Sequence, residues 1–165
     1  MITLEKLQEL LSYDPETGIF TWLTQRQGGA KKGTASGGKK LNGYINIKLY
    51  GKDYLAHRLA WLYVYGELPE SFLDHINEIK DDNKISNLRL ATRQENYHNI
   101  SKPQKNNKSG LLGVCRTKCG KKWRANICLN GKIKYLGVFN TAEEASEAYL
   151  KAKRELHTFW EEKTL

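Results

Sequence analysis

Apolar residues change their spacing from segment to segment, and this spacing predicts a series of short helices and strands. Residues 4–11 carry leucines on one helical face, and Thr3 before them is a suitable N-cap. Turn residues at 14–18 are followed by an apolar run at 19–23 that predicts a strand. Residues 44–55 predict two more strands joined by a tight turn.

The middle of the chain combines helical and strand patterns. Leucines at helical spacing predict a helix over residues 56–65, and Gly66 is a suitable stop. Residues 72–76 and 85–91 predict two strands on either side of a polar turn. A Thr-x-x-Glu capping box at 92–95 predicts that a helix begins directly after the second strand.

The last third of the chain predicts a compact module of three strands and one helix. The strands fall at 112–116, 122–129 and 132–136, and the pair Asn130-Gly131 predicts a type I′ hairpin. A second capping box begins the final helix, whose narrow apolar stripe suits packing on a small sheet. The stripe consists of Ala145, Ala148, Tyr149, Ala152 and Leu156.

The segment 101–109 is polar and basic and has no apolar anchor, so it is predicted to be an interdomain linker. It separates a first region, residues 1–100, from a C-terminal module, residues 110–165. The fold class predicted for the whole chain is α+β.

The charge of the chain points to its partner. A formal net charge of +9 and a pI near 9.4 favour a polyanion, most often nucleic acid. From Lys102 to Lys134 there are ten lysines or arginines and no acidic residue. The glycine- and lysine-rich segment 27–43 is predicted to be a mobile basic loop, which either closes over a phosphate backbone or is simply solvated. Lys31 and Lys32 are its candidate DNA contacts.

The compartment can also be predicted. No apolar run approaches the roughly 18 residues that a membrane span requires, and the first residues lack the pattern of a signal peptide. We therefore expect an intracellular protein, in the cytoplasm of a host cell and associated with DNA. Cys115, Cys119 and Cys128 lack the spacing of a zinc site and are expected to be free thiols.

An acidic residue directly before a histidine, followed by two spaced asparagines, is the most suggestive polar pattern in the chain. Asn87 and Asn96 lie twelve and twenty-one positions beyond His75, which Asp74 precedes. That order can bring one base and several oxygen ligands together around a metal ion. Each residue also has a structural alternative: a satisfied surface pair for Asp74 and His75, a turn cap for Asn87, and a solvent-facing helix position for Asn96.

The segment from Asp74 to Asn96, with Ala56-His57-Arg58-Leu59-Ala60-Trp61 upstream, closely resembles the HNH endonucleases of phage type. The match covers roughly residues 44–100, with the HNH core at about 55–100. Its last position is asparagine instead of histidine, a variant shared with homing endonucleases carried by introns and phages. The resemblance implies a ββα-metal fold that cleaves DNA phosphodiesters with one divalent ion, Mg²⁺ or Mn²⁺.

The resemblance also implies a role for each motif residue. His75 would be the general base that takes a proton from the attacking water. Asn87 would hold the imidazole of His75 through a side-chain hydrogen bond. Asp74 and Asn96 would supply oxygen ligands to the divalent ion.

Other polar residues near the motif are weaker candidates. His98 and Asn99 could provide a further ligand. His57 is expected to be a structural histidine, while Arg58 beside it is a candidate phosphate contact. His157, near the C-terminus, is predicted to lie on the surface of the last helix.

The run from Ser109 to Tyr149 resembles the plant APETALA/ethylene-response-factor DNA-binding domain, through the core Tyr-Leu-Gly-x-Phe-x-Thr-x-Glu-Glu-Ala at 135–145. In that family a three-stranded sheet lies in the major groove with the helix packed behind it. Cys115 and Thr117 stand where two base-reading arginines would be, so the plant target site is not carried over. The candidate DNA contacts from this module are Arg116, Lys118, Lys122, Arg124, Asn126, Lys132, Lys134 and Tyr135.

These observations predict a metal-dependent homing endonuclease that acts on double-stranded DNA. One HNH site has chemistry for one strand, so we expect nicking by a monomer, and double-strand cleavage would need a dimer. The alternative from another class is a non-catalytic, sequence-specific DNA-binding regulator. An RNA-binding protein is a weaker alternative, because the C-terminal module resembles a reader of duplex DNA.

Overall fold

A computed structural model of the chain describes residues 2–25, 29–104 and 106–157. In chain order the elements are α1 (Leu4–Leu10), β1 (Leu11–Asp14), β2 (Ile19–Trp22), β3 (Ala35–Ser36), β4 (Gly38–Lys39), β5 (Ile45–Leu49), β6 (Lys52–Leu55), α2 (Ala56–Tyr65), β7 (Phe72–His75), a 3₁₀ turn (Ile85–Asn87), β8 (Leu88–Ala91), α3 (Arg93–His98), β9 (Val114–Arg116), β10 (Trp123–Leu129), β11 (Lys132–Phe139) and α4 (Ala142–Leu156). Small antiparallel sheets and separate helices confirm the α+β class. Among the described residues, no helix is long and apolar enough to cross a bilayer.

The contacts within the chain divide it into two units. The first unit ends at Thr92 and the second begins at Arg93, so α3 groups with the C-terminal elements. The domain boundary that the sequence places at the linker 101–109 stays a prediction.

The first unit has one apolar core, to which both α1 and α2 contribute. Helix α1 begins at Leu4 because the hydroxyl of Thr3 accepts a hydrogen bond from the Lys6 amide at 3.4 Å. Helix α2 has the bounds that the sequence predicts and ends at Gly66, whose φ of 83° is the left-handed stop that glycine permits. The largest fully buried apolar side chains of this core are Leu7, Leu11, Phe20, Ile47, Leu49 and Leu59.

Three local predictions for the first unit were wrong in detail. Leu11 begins strand β1 opposite Trp22 instead of ending α1; a helix and a strand would both bury it, so its apolar character does not distinguish them. The described part of the basic segment, residues 29–43, contains the two short strands β3 and β4. Residues 85–87 form a 3₁₀ turn before β8, where the side chain of Asn87 bonds to neighbouring backbone.

The second unit contains an antiparallel sheet in the order β11-β10-β9, with α4 packed against it. Along β10, Ala125 and Ile127 are buried, while Arg124 before them is exposed and Asn126 between them is partly exposed, which is the predicted alternation. The hairpin between β10 and β11 has positive φ at Asn130 and Gly131, as a type I′ turn requires. Strand β11 extends three residues beyond its predicted end, to Phe139.

Helix α4 begins with the predicted capping box. The Glu144 amide donates to the Thr141 hydroxyl at 3.1 Å, and the Glu144 carboxylate accepts from the Thr141 amide. The prediction that His157 lies on the helix surface is wrong. Its ring is buried and Nε2 lies 2.9 Å from the Cys128 carbonyl oxygen, because the end of α4 packs against β10.

Gly113 is the point where the backbone before β9 comes closest to α4. Its φ is +67°, and a Cβ atom there would lie 2.0 Å from the ring of Tyr149. Tyr149 is itself buried among the apolar residues of the second unit. Both the backbone conformation and the close approach therefore require glycine.

Replacing Gly113 with alanine should destabilise the protein by about 3 kcal/mol, since it combines overpacking with a strained φ. Gly131→Ala is the matched control, because Gly131 has a similar φ of +73° but open space around it. That variant should lose only the strain, about 1 kcal/mol. Urea unfolding of both variants measures the difference. Equal destabilisation by the two would contradict the packing argument.

Candidate active site

Strands β7 and β8 form a two-stranded antiparallel ribbon that carries the Asp-His pair. Asp74 pairs with Arg89 and His75 with Leu88, and Ile76 continues the ladder by donating its amide to the Asn87 carbonyl at 2.9 Å. Asp74 and His75 are both about 95% buried. Because both residues are buried, they are not a satisfied surface pair, which was the structural alternative for Asp74 and His75.

The carboxylate of Asp74 is held by the side chain opposite it. Nε and Nη2 of Arg89 each lie 3.0 Å from Oδ2 of Asp74. A buried carboxylate without such a partner is costly in free energy, because burial removes the water that would otherwise solvate its charge. Sequence reasoning gave Arg89 no role, although the two predicted strands place it directly across from Asp74 in the observed register.

The imidazole of His75 faces an asparagine that the sequence analysis did not single out. Nε2 of His75 lies 3.4 Å from Oδ1 of Asn83, and the Asn83 amide nitrogen donates to the Asp81 carbonyl at 3.3 Å. Because an amide oxygen only accepts, this contact favours the tautomer whose ring proton is on Nε2. Burial lowers the pKa of His75, against the opposing effects of the Asn83 hydrogen bond and nearby carboxylates.

Asn87, the residue predicted to hold the imidazole, directs its amide elsewhere. Its Oδ1 accepts from the Asn77 amide at 3.0 Å, while its Nδ2 donates to the Asn77 side chain at 3.0 Å and to the Asp82 carbonyl at 2.8 Å. Asn77 also donates to the Asp82 carboxylate at 2.7 Å. These bonds brace residues 76–84, the β7–β8 loop, and so fix the backbone that carries Asn83.

The N-terminal hairpin supports the same loop from the other side. The hydroxyl of Tyr13 donates to the Asn83 carbonyl at 2.7 Å. A Cβ atom on Gly18, whose φ is +74°, would lie 2.5 Å from the Lys84 amide nitrogen. Strands β1 and β2 therefore fix the position of Asn83, some seventy residues away in the chain. No local spacing in the sequence signals this contact.

His57 and Tyr44 form an aromatic wall beside His75. The His57 ring lies edge-on to His75 with centroids 5.0 Å apart, and the Tyr44 centroid is 5.2 Å from His57 and 5.8 Å from His75. Burial, with the nearby charges of His75 and Arg58, lowers the pKa of His57 to about 3, so this ring is neutral at physiological pH. Within the part of the chain that the structure describes, its buried Nδ1 has no hydrogen-bond partner. His57 thus adds apolar cover to His75, which agrees with a structural role.

The remaining motif residue, Asn96, belongs to the second unit. It lies half-buried in the six-residue helix α3, one turn after the capping residue Thr92 predicted for that helix. The two weaker ligand candidates after it, His98 and Asn99, are buried in the same unit.

The C-terminal sheet has an open face, defined here as the face that carries Arg124, Asn126 and Cys128. Cross-strand pairing joins Asn126 to Tyr135 and Cys128 to Ile133, so Tyr135 and Ile133 share this face. Both are exposed. An arginine on the same face as exposed aromatic and aliphatic side chains is suited to base edges and thymine methyl groups.

The other charged candidates of the C-terminal module lie elsewhere. Lys132 and Lys134 pair with Leu129 and Ile127, so the register places them on the face opposite Arg124, although they are exposed. Arg116 pairs with Trp123 across the strands and therefore lies on the same face of the sheet as Trp123. Its guanidinium lies 4.6 Å from the centroid of the Trp123 ring and donates a hydrogen bond to the Gly120 carbonyl. The candidates at the turn before β10, both exposed, are Lys118 and Lys122.

The candidates in the first unit differ in their freedom to bind. Lys31 and Lys32 are exposed. Arg58 is half-buried and its Nη2 donates to the Pro69 carbonyl at 2.7 Å, which ties α2 to the segment before β7. In the basic segment, Lys39 forms an ion pair with Asp81 at 2.6 Å.

Comparison with known proteins agrees with this geometry. Residues 54–98 match the HNH endonuclease family. The chain is 32% identical over 114 residues to Protein 3.8 of Escherichia phage T7, covering 67% of this chain and 93% of that protein. It is 32% identical over 100 residues to an uncharacterized HNH endonuclease, L560, of Acanthamoeba polyphaga mimivirus, covering 60% of this chain and 50% of that one.

No solved structure matches the chain significantly. The matched residues include α2, the β7–β8 ribbon and α3, the elements that carry the candidate active-site side chains. This chain is therefore a nuclease and belongs to the HNH endonuclease family.

Proposed function

We propose that this nuclease is a phage-type homing endonuclease that nicks one strand of double-stranded DNA, leaving a 5′ phosphate and a 3′ hydroxyl. The observation that carries the proposal is the pair of buried residues on β7, with the His75 ring facing Asn83 and the Asp74 carboxylate held by Arg89. A base and a hard oxygen ligand on adjacent residues are what phosphodiester hydrolysis requires.

In the proposed reaction, His75 is the general base. Its Nδ1 accepts a proton from a water molecule, whose oxygen then bonds to phosphorus while the bond from phosphorus to the 3′ oxygen breaks. In this scheme both Asn83 and Asn87 act on His75. Asn83 orients the imidazole ring through Nε2, and Asn87 fixes the conformation of the loop that carries Asn83.

HNH endonucleases generally use a divalent metal ion, and the donors in this chain fit one. We propose that Asp74 and Asn96 hold Mg²⁺ or Mn²⁺, since carboxylate and amide oxygens are the ligands these ions prefer. When bound, the ion supplies charge stabilisation for the phosphorus centre and the leaving oxygen.

The strand-and-helix order of β7, β8 and α3 supports a ββα-metal arrangement, which we include in the proposal. We further propose that the C-terminal module, residues 110–165, is an APETALA/ethylene-response-factor-like domain whose open face binds duplex DNA. Its three-stranded sheet backed by α4 and the exposed Arg124 and Tyr135 support this assignment. The exposed lysines at the turn before β10, Lys118 and Lys122, would contact phosphates and carry no sequence information.

A single site of this kind serves one strand, so we propose that a monomer nicks and that double-strand cleavage needs a dimer. The net charge of +9 supports DNA as the partner of this protein. We propose Lys31 and Lys32 as further phosphate contacts. We propose that the nuclease acts inside a host cell, where double-stranded DNA is found.

His75→Ala should lower the rate of plasmid nicking by about 1,000-fold, because the general base is lost. Binding of the same DNA in EDTA should be unchanged, and chelation should stop nicking by the wild-type protein until Mg²⁺ or Mn²⁺ is restored. Gel assays of nicked plasmid and filter binding measure the two quantities. Nicking by His75→Ala at the wild-type rate would refute the proposed base.

Asn83→Ala should lower kcat by about 100-fold with little change in KM, because the imidazole of His75 would no longer be held in its orientation. Asn87→Ala should instead lower the thermal unfolding midpoint, since it removes three hydrogen bonds that brace the β7–β8 loop. Steady-state nicking kinetics and thermal melts of both variants separate the two effects. The assignment fails if Asn87→Ala loses kcat at an unchanged midpoint while Asn83→Ala behaves as wild type.

Arg124→Ala should weaken DNA binding and reduce the slope of log affinity against log salt by up to about 0.9, the effect of one phosphate contact. Lys134→Ala is the matched control, because it removes one charge from an exposed residue of the opposite face. Affinities measured at several salt concentrations report the slope. A loss for Lys134→Ala without one for Arg124→Ala would assign DNA binding to the other face.

A further inference from the structure

Helix α3, which carries Asn96, has buried polar contacts with the end of α4. We propose that Lys153 and His157 of α4 are positioning residues for the nuclease, which act by holding α3 and thereby the metal ligand Asn96. This inference rests on the proposed function of Asn96. It makes the C-terminal module part of the catalytic apparatus in addition to its role in DNA binding.

Lys153 is the first of these contacts. Lys153 is about 99% buried, and its ammonium group donates to the carbonyl of Ile100, two residues after the end of α3. A lysine so deeply buried is expensive in free energy unless hydrogen bonds compensate its charge. The hydrogen bond from the ammonium group to the Ile100 carbonyl supplies part of this compensation.

His157, the residue that ends α4, is the second contact. Its ring stacks on His98 of α3 with centroids 3.7 Å apart and planes 7° from parallel, and both rings are buried. The His157 ring has a second contact, because its Nε2 lies 2.9 Å from the Cys128 carbonyl oxygen of β10. His157 therefore links α3 to the C-terminal sheet as well as to α4.

A third contact lies at the start of α3. The side-chain amide of Gln94 donates to Asn130 in the hairpin between β10 and β11, at 2.7 Å. Contacts of the C-terminal module thus occur at both ends of α3, whose six residues are too few to form a stable helix alone. The position of Asn96, two residues before His98, depends on packing by α4 and the sheet.

A positioning role predicts a defect in metal use that is separate from DNA binding. Residues that orient a metal ligand typically change metal affinity by about 10-fold or more when they are lost. A residue that served DNA binding alone would instead lower DNA affinity at every metal concentration. Three measurements on the full-length protein distinguish these roles.

The test compares Lys153→Met, which removes the buried ammonium, with Lys151→Met, the same change at an exposed position of α4. We expect Lys153→Met to raise the Mg²⁺ concentration for half-maximal nicking about 10-fold. Amide hydrogen exchange of residues 93–100 should become faster in the metal-free protein. DNA affinity in EDTA should stay within about 2-fold of wild type, less than the metal effect. Lys151→Met should match wild type in all three.

His157→Gln serves as the second variant if Lys153→Met does not fold, since glutamine keeps a donor for Cys128 but loses the ring stack. An unchanged Mg²⁺ midpoint, or loss of DNA affinity with that midpoint unchanged, would overturn the inference. In either case ordinary nicking by the wild type would leave the proposed function intact. Absence of nicking by the wild type with any divalent ion would overturn the proposed function itself, whatever the exchange rates of α3.

Discussion

The structure of this active site depends on buried amide hydrogen bonds that fix a polar loop. The β7–β8 loop has one half-buried apolar residue, Ile76, and one exposed one, Ile79, so hydrophobic packing alone does not determine its path. The side chain of Asn87 fixes this path through hydrogen bonds to the backbone and side chain of Asn77 and to the Asp82 carbonyl. Each buried amide left unpaired would cost about 1–3 kcal/mol, so the loop has one favourable arrangement.

That loop in turn determines the state of the histidine. Asn83 is held by its own amide bond to Asp81 and by Tyr13, and it faces Nε2 of His75. Burial alone would disfavour the charged imidazolium, and the aromatic neighbours His57 and Tyr44 add to that burial. A neutral, oriented imidazole is what a general base near pH 7 needs. The N-terminal hairpin is therefore part of the support of the site.

Much of the fold followed from local patterns. The bounds of α2, the capping box of α4 and the Asn130-Gly131 hairpin were predictable because each depends on residues within a few positions of one another. The order of the Asp-His pair and Asn96, with their resemblance to HNH endonucleases, singled these residues out, and their roles stay predictions. Leu11 was misassigned because a helix and a strand would bury it equally well. His157 was misassigned because burial at the end of a helix depends on what packs there.

By itself, the sequence determined the residue types available for catalysis, the basic charge that favours DNA, and the order of the helices and strands around the motif. Tertiary structure decided which asparagine meets His75, which residue compensates Asp74, and which lysines of β11 share a face with Arg124. The physical reason is that each of these contacts joins residues through register or packing. Tyr13 and Asn83, or Lys153 and Ile100, are distant in the chain, and no local spacing encodes their meeting.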